Sequence, residues 1–115
     1  MKKPGLMKRP QRKGRTPGVM NKTEKLYADR LEIAKQTKEI LSYGFEQVTF
    51  KIAPKTTYTP DFMVIYPGHI EFHEVKGFLR ESGNIKFKAT AAMHPEFGWK
   101  MIRYNKKVWE LMKEI

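Results

Sequence analysis

The stretch YTPDFMVIYPGHIEFHEVKGF, residues 58–78, limits the fold more than any other part of the chain. Two apolar-rich runs flank Pro67-Gly68, so they read as strands, Tyr58–Tyr66 and Ile70–Lys76, joined by a tight turn. Side chains alternate along a strand, which places Asp61 with Met63 and Ile65 on one face. By the same rule Glu74 and Lys76 share a face with Ile70 and Phe72. With Pro67 and Gly68 at the centre of the turn, Tyr66 falls opposite His69, Ile65 opposite Ile70, Met63 opposite Phe72 and Asp61 opposite Glu74. A three-residue loop would flip one strand's pattern, so the hydrophobic pairing favours the register in which the two carboxylates meet.

Two carboxylates side by side at the edge of a core repel each other and are costly to desolvate. A divalent cation offsets both penalties. A small set of oxygen ligands suits Mg²⁺, with Mn²⁺ as a substitute, since these ions keep several waters and take further oxygens from phosphate. Lys76 points into the same pocket, where its ammonium can orient an attacking water or offset charge on a phosphoryl group. A plain salt bridge between Lys76 and either acid is the structural alternative.

The rest of the chain supplies the frame. Asn21 and Glu24 have capping-box spacing for a helix whose apolar residues Leu26, Tyr27, Leu31, Ile33, Ala34, Ile40 and Leu41 fit a 3.6 period, with Gly44 as its stop. Residues 45–53 read as a strand and Pro54 to Thr57 as a turn, completing a three-strand antiparallel meander. Asn84 reads as the cap of a second helix, residues 85–94, which Pro95 stops. Residues 99–104 read as a strand and 106–115 as a terminal helix. A strand reached through a crossover helix joins the sheet in parallel. The expected fold is α/β, a small mixed sheet flanked by helices with an αβββαβ core.

With 115 residues the chain has room for one domain, assigned here to residues 21–115. It has no Cys, which excludes disulfides and thiolate metal sites. No apolar run is long enough to cross a bilayer, and no secretory signal is visible, so the expected location is the cytoplasm with no membrane partner. The net charge of +11 points to a polyanionic partner, with DNA as the expected one. Residues 1–20 hold seven basic residues and no acid, with three Pro and three Gly. That composition reads as a disordered arm in which Lys8, Arg9, Arg12, Lys13 and Arg15 grip phosphates without reading bases.

Pro60-Asp61 followed by Glu74-Val75-Lys76 resembles the PD-(D/E)XK signature of the restriction-endonuclease-like nuclease superfamily. The element order is similar over about residues 21–104. The segments TEKLYADRLE, YTPDF and HEVKGF look most like small phage-encoded nucleases of that superfamily, and the layout is similar to phage Holliday-junction resolvases. The resemblance implies a restriction-endonuclease-like fold, with Asp61 and Glu74 as metal ligands, the Val75 carbonyl as a further ligand and Lys76 as the catalytic lysine. It also implies an acid on the first helix. Glu24 matches that place, facing the sheet with Tyr27, Ala28 and Leu31, while Glu32 competes for it.

These readings lead to a metal-dependent endonuclease acting on nicked, branched or ended DNA in recombination, repair or replication; a phage origin would put it in the host-cell cytoplasm. The rival is a non-catalytic nucleic-acid-binding module on the same fold. Lys86 and Lys88, at the start of the second helix, are candidate phosphate contacts. His73 falls on the strand face away from Glu74 and reads as a helix-packed histidine, and His94 as a helix-end residue. Phe97, Trp99, Tyr104 and Trp109 have the spacing of core residues, with base stacking as the functional alternative. Val108, Trp109, Leu111, Met112 and Ile115 on the expected terminal helix form a candidate homodimer interface, which cutting both strands of a junction would require.

Overall fold

The computed structural model describes residues 18–76 and 82–115. Helix α1 spans Lys22–Gln36, followed by strands β1 (Ser42–Phe45), β2 (Phe50–Ala53), β3 (Thr56–Tyr58), β4 (Phe62–Tyr66) and β5 (His69–Lys76). Helix α2 (Ser82–Met93) leads to β6 (Gly98–Asn105) and β7 (Val108–Glu114). The result is an α/β fold with a mixed five-stranded sheet ordered β1-β4-β5-β6-β7 and a separate β2-β3 hairpin. The expected arm, with Lys8, Arg9, Arg12, Lys13 and Arg15, lies outside the described residues except for residues 18–20. Among the described residues no helix is long and apolar enough to cross a membrane.

The Pro67-Gly68 turn sets the register as its chemistry requires. Gly68 takes φ 98°, a left-handed conformation that suits the third position of a Pro-Gly turn. Tyr66 pairs with His69, Ile65 with Ile70 and Met63 with Phe72. After α2, β6 joins β5 in parallel, with Phe72 beside Trp99 and Lys76 beside Arg103.

Each sheet face buries its own core. Tyr27 and Leu31 of α1 close over Phe62, Val64, Val75 and Ile102 on one face. On the other, Phe87 and Ala91 of α2 pack with Tyr58 of the hairpin over Phe72, Trp99 and Met101. Alternation along β5 therefore decides which environment each residue meets: 71, 73 and 75 face α1, while 72 and 74 face α2 and the hairpin.

Four boundaries differ from the sequence reading. Helix α1 stops at a Thr37 cap rather than at Gly44, because Lys38 takes φ 68°, the left-handed position that glycine usually fills. Gly44 lies inside β1. The run 45–53 is broken into β1 and β2 beyond Glu46, which has φ 51°. The run Tyr58–Tyr66 is broken at 59–61, where the hairpin hands over to β4. Helix α2 begins at Ser82, two residues before the expected cap Asn84.

A fifth difference concerns the C-terminus. Residues 108–114 form a strand, not a helix, paired antiparallel to β6 through a two-residue turn at Lys106-Lys107. Both lysines take positive φ, 50° and 66°, which matches the twist of a tight hairpin. The apolar spacing at 108, 109, 111, 112 and 115 suits a helix, but pairing with β6 and a bulge opposite Met101 and Ile102 absorb it. The candidate interface is thereby recast as an edge strand, with Val108, Leu111 and Ile115 more than half exposed.

Candidate active site

Asp61 and Glu74 meet where the start of β4 lies beside the end of β5. Two backbone amides tie the carboxylates in place: the Val75 amide donates to Asp61 Oδ2 at 2.9 Å, and the Asp61 amide approaches Glu74 Oε1 at 3.4 Å. Both carboxylates belong to the α2 face, as alternation from Phe62 and Phe72 requires. Asp61 is 5% exposed. Burial, followed by the adjacent charge of Glu74, pushes its carboxyl well above the ordinary range, and Glu24 adds to the effect.

Glu74 is held from two sides. Tyr58, at the end of β3, donates its hydroxyl to Oε1 at 2.6 Å, and the Lys76 ammonium stands 3.3 Å from Oε2. Burial, reinforced by the charge of Glu74, raises the Tyr58 phenol far above its ordinary pKa, so it remains a donor across the working pH range. Tyr58 escaped the sequence reading because nothing local marks it. It reaches Glu74 only because the β2-β3 hairpin folds back over the sheet. Lys86 on α2 ties down the same hairpin, its ammonium donating to the Thr57 carbonyl at 3.1 Å. Lys88 is exposed.

Glu24 occupies its expected place. Its Oε1 accepts the Asn21 amide at 2.8 Å, the Asn21 side chain accepts the Glu24 amide at 2.8 Å, and the residue is 3% exposed. Its competitor Glu32 is engaged elsewhere, accepting from Tyr43 Oη at 2.7 Å and Gln36 Nε2 at 3.0 Å. Glu24, Asp61, Glu74, Val75 and Lys76 thus gather at one end of the sheet.

The donor set fits a hard divalent cation. It consists of oxygens, the adjacent charge of Glu74 adds to burial in pushing the Asp61 carboxyl up, and the Lys76 ammonium stands beside Glu74. Among the described residues, no group of three or more His, Asp and Glu side chains is arranged to hold a metal ion by itself. Two carboxylates and a carbonyl are the kind of partial set that suits Mg²⁺, which retains waters.

The other face carries a second polar cluster that the sequence reading did not assemble. His73 Nδ1 lies 2.7 Å from Tyr27 Oη, and its Nε2 lies 2.8 Å from Glu71 Oε1. His69 Nε2 reaches Glu71 Oε2 at 2.8 Å, and the Lys100 ammonium reaches Oε1 at 3.2 Å. The His73 hydrogen bond, aided by His69 and Lys100, holds Glu71 far below the usual carboxylate range against the opposing effect of burial. His73 is, as expected, helix-packed and satisfied. A cavity of about 530 Å³ opens beside this cluster, lined in part by Tyr27, Tyr66, His73, Lys100 and Trp109, and includes none of the acids of the candidate site.

The remaining aromatics are structural. Trp99 is 1% exposed and donates its indole N–H to the His94 carbonyl at 2.9 Å. Trp109 packs against Tyr27 and Tyr104, with Arg30 above its ring. His94 contacts Glu96 at 3.3 Å and lies over Phe50. No family model, curated protein or solved structure matches the chain.

Proposed function

We propose that this protein is a metal-dependent nuclease that hydrolyses DNA phosphodiester bonds, with a site of PD-(D/E)XK type on a restriction-endonuclease-like core. The observation that carries the reading is the contact between Asp61 and Glu74, on one face and beside Lys76, with Asp61 forced toward its protonated form. A structural ion pair has no use for the second acid. The element order α1, β1, β4, β5, α2, β6 supports the reading, as does the net charge of +11.

Asp61, Glu74 and the Val75 carbonyl would hold Mg²⁺ or Mn²⁺, which when bound supplies Lewis-acid polarisation of a phosphoryl oxygen. Lys76 keeps its ammonium at the rim, one-fifth exposed, where it can hydrogen-bond a water in line with the phosphorus and offset charge growing on the phosphoryl oxygens. The water oxygen would form the new P–O bond as the P–O bond to the ester oxygen breaks, with the water's proton passing to solvent and the leaving oxygen taking one up. Glu24 orders the start of α1 and adds negative charge near Asp61, which favours cation capture. Structure-directed rather than sequence-directed cutting suits a chain of this size.

Plasmid and branched-DNA cleavage with Mg²⁺, Mn²⁺ or EDTA tests the assignment. Metal-dependent cutting, lost in Asp61→Ala, Glu74→Ala and Lys76→Ala while salt-sensitive DNA binding persists, is the expected result. Full activity in either acid variant would overturn it, and binding without cutting under any metal would favour a non-catalytic module.

A further inference from the structure

Among the described residues, five other than glycine adopt positive φ: Lys38, Glu46, Lys55, Lys106 and Lys107. Four of them are lysines, a residue with no local means of easing that conformation, unlike Asn, Asp or Gly. Backbone strain of this kind points to a role only where the position itself has a use. The four lysines differ in that respect.

Lys106 and Lys107 form the β6-β7 turn, and strand register fixes where that turn lies. Strand β6 runs parallel to β5 with Arg103 beside Lys76, so the chain leaves β6 at the same end of the sheet as Glu74 and Lys76. Lys106 is three residues past Arg103, which puts its backbone roughly 11 Å from that of Lys76 at ~3.3 Å per residue along a strand and ~4.8 Å between strands. That distance spans about three phosphates of one DNA strand at ~3.4 Å of rise each. Both lysines are exposed, and among the described residues neither forms an ion pair. The neighbouring cations are engaged, Arg103 with Glu110 at 2.6 Å and Lys76 with Glu74. Lys38 lies at the opposite end of α1 from Glu24 and so away from the site.

We infer that the Lys106-Lys107 turn is a phosphate-binding element of the site, gripping the nucleic-acid backbone beside the bond to be cut. The inference rests on the nuclease reading only in requiring that the chain bind nucleic acid. An unstrained Asn-Gly turn would be the better hairpin, and the turn as it stands gives up that stability and gains two unpaired positive charges at the site's edge.

The test separates charge from conformation. Binding to a short duplex is measured in EDTA, across a range of salt, for the wild type, K106N/K107G and K38G. Both variants should melt a few degrees higher, since each relieves a left-handed lysine. K106N/K107G should bind roughly ten- to a hundredfold more weakly at low salt, with the slope of log K against log salt reduced by about two, while K38G loses at most one unit of slope. K106Q/K107Q, which keeps full side chains, should show the same loss of slope and guards against a folding defect. Unchanged affinity and slope in both double variants, or a drop in K38G equal to that of K106N/K107G, would overturn the inference. A wild type that binds no nucleic acid would remove the nuclease reading and this inference with it.

Discussion

Strand β5 presents two glutamates three residues apart, one to each face of the sheet, and they meet opposite fates. Glu71 accepts from His69, His73 and Lys100, and these donors hold its carboxyl far below its ordinary value. Glu74 has Tyr58 and Lys76 as donors, but it also faces Asp61, whose carboxyl is driven up. One face contains a finished network in which donors outnumber acceptors. The other holds two adjacent carboxylates, with Tyr58 and Lys76 as donors to one of them. The difference separates a carboxylate locked into a hydrogen-bonded network from one set against a second acid, where the proposed chemistry needs it, and burial alone would not have told them apart.

The largest test of this contrast neutralises one acid on each face. Asp61→Asn should lower cleavage by about a thousandfold or more, since it removes a ligand-bearing charge. It should also stabilise the metal-free fold by about 1 kcal/mol, because the amide oxygen can still accept from Val75 without the buried charge. Glu71→Gln should do the reverse, costing about 2–4 kcal/mol of stability with the metal requirement unchanged.

The pH dependence of the two variants carries opposite signs. Asp61 has a raised folded pKa, so its burial carries no penalty below its ordinary value of 3.8, and the penalty grows as pH rises through the folded value. The advantage of Asp61→Asn should therefore appear above about pH 4 and be greatest near neutrality. Glu71 has a lowered folded pKa, so its contribution is full above its ordinary value of 4.5 and fades as pH falls below it. The deficit of Glu71→Gln should shrink in acid. Urea melts of the three proteins at pH 3 and pH 7 check both signs, and parallel shifts would break the comparison.

A sharper probe removes one hydroxyl. Tyr58→Phe keeps the ring in its core and deletes the donor that fixes Glu74. Outer partners of this kind are worth roughly ten- to a hundredfold in metal affinity. The Mn²⁺ midpoint, read by calorimetry and by cleavage, should rise by that factor. Phe97→Leu, in the same core but just before β6, at the end of the sheet away from Glu74, should leave it unchanged while lowering stability. An unaltered midpoint in Tyr58→Phe would mean that Lys76 and the Asp61 amide position Glu74 without the phenol.

One half of this contrast, the Asp61–Glu74 pair, was legible in the sequence, and the reason lies in the turns. The Pro67-Gly68 turn announces its geometry, and with it the register that brings Asp61 to Glu74. The Asn21 and Glu24 pair likewise announces the start of α1. Several of the hidden boundaries share a cause. The end of α1, the break after β1 and the β6-β7 hairpin all turn on Lys38, Glu46 or Lys106-Lys107, residues that carry no turn signal and adopt positive φ. The turn at Pro54–Thr57 was legible, but the break at 59–61 that sets its hairpin apart from the main sheet was not, and this concealed Tyr58; missing β7 turned an edge strand into a helix. The network around Glu71 was hidden for another reason: it joins α1, β5 and β6, and no local pattern couples Tyr27 to Lys100.

The smallest expected effect comes from a glycine on the α1 face. Gly98 pairs with Glu71 across β5 and β6, and a Cβ built there would stand 2.8 Å from Glu71 Cγ. That contact is too close, and the atom it meets sits near the root of the side chain, where a rotamer change is constrained by the three donors already on the carboxylate. Gly98→Ala should displace Glu71 and cost about 1–2 kcal/mol, the usual range for overpacking. The Mn²⁺ midpoint should not move, because Glu74 projects from the opposite face. If Gly98→Ala shifted the midpoint as Tyr58→Phe does, the two faces would be coupled through the β5 backbone, and the separation of a structural carboxylate from a chemical one would fail.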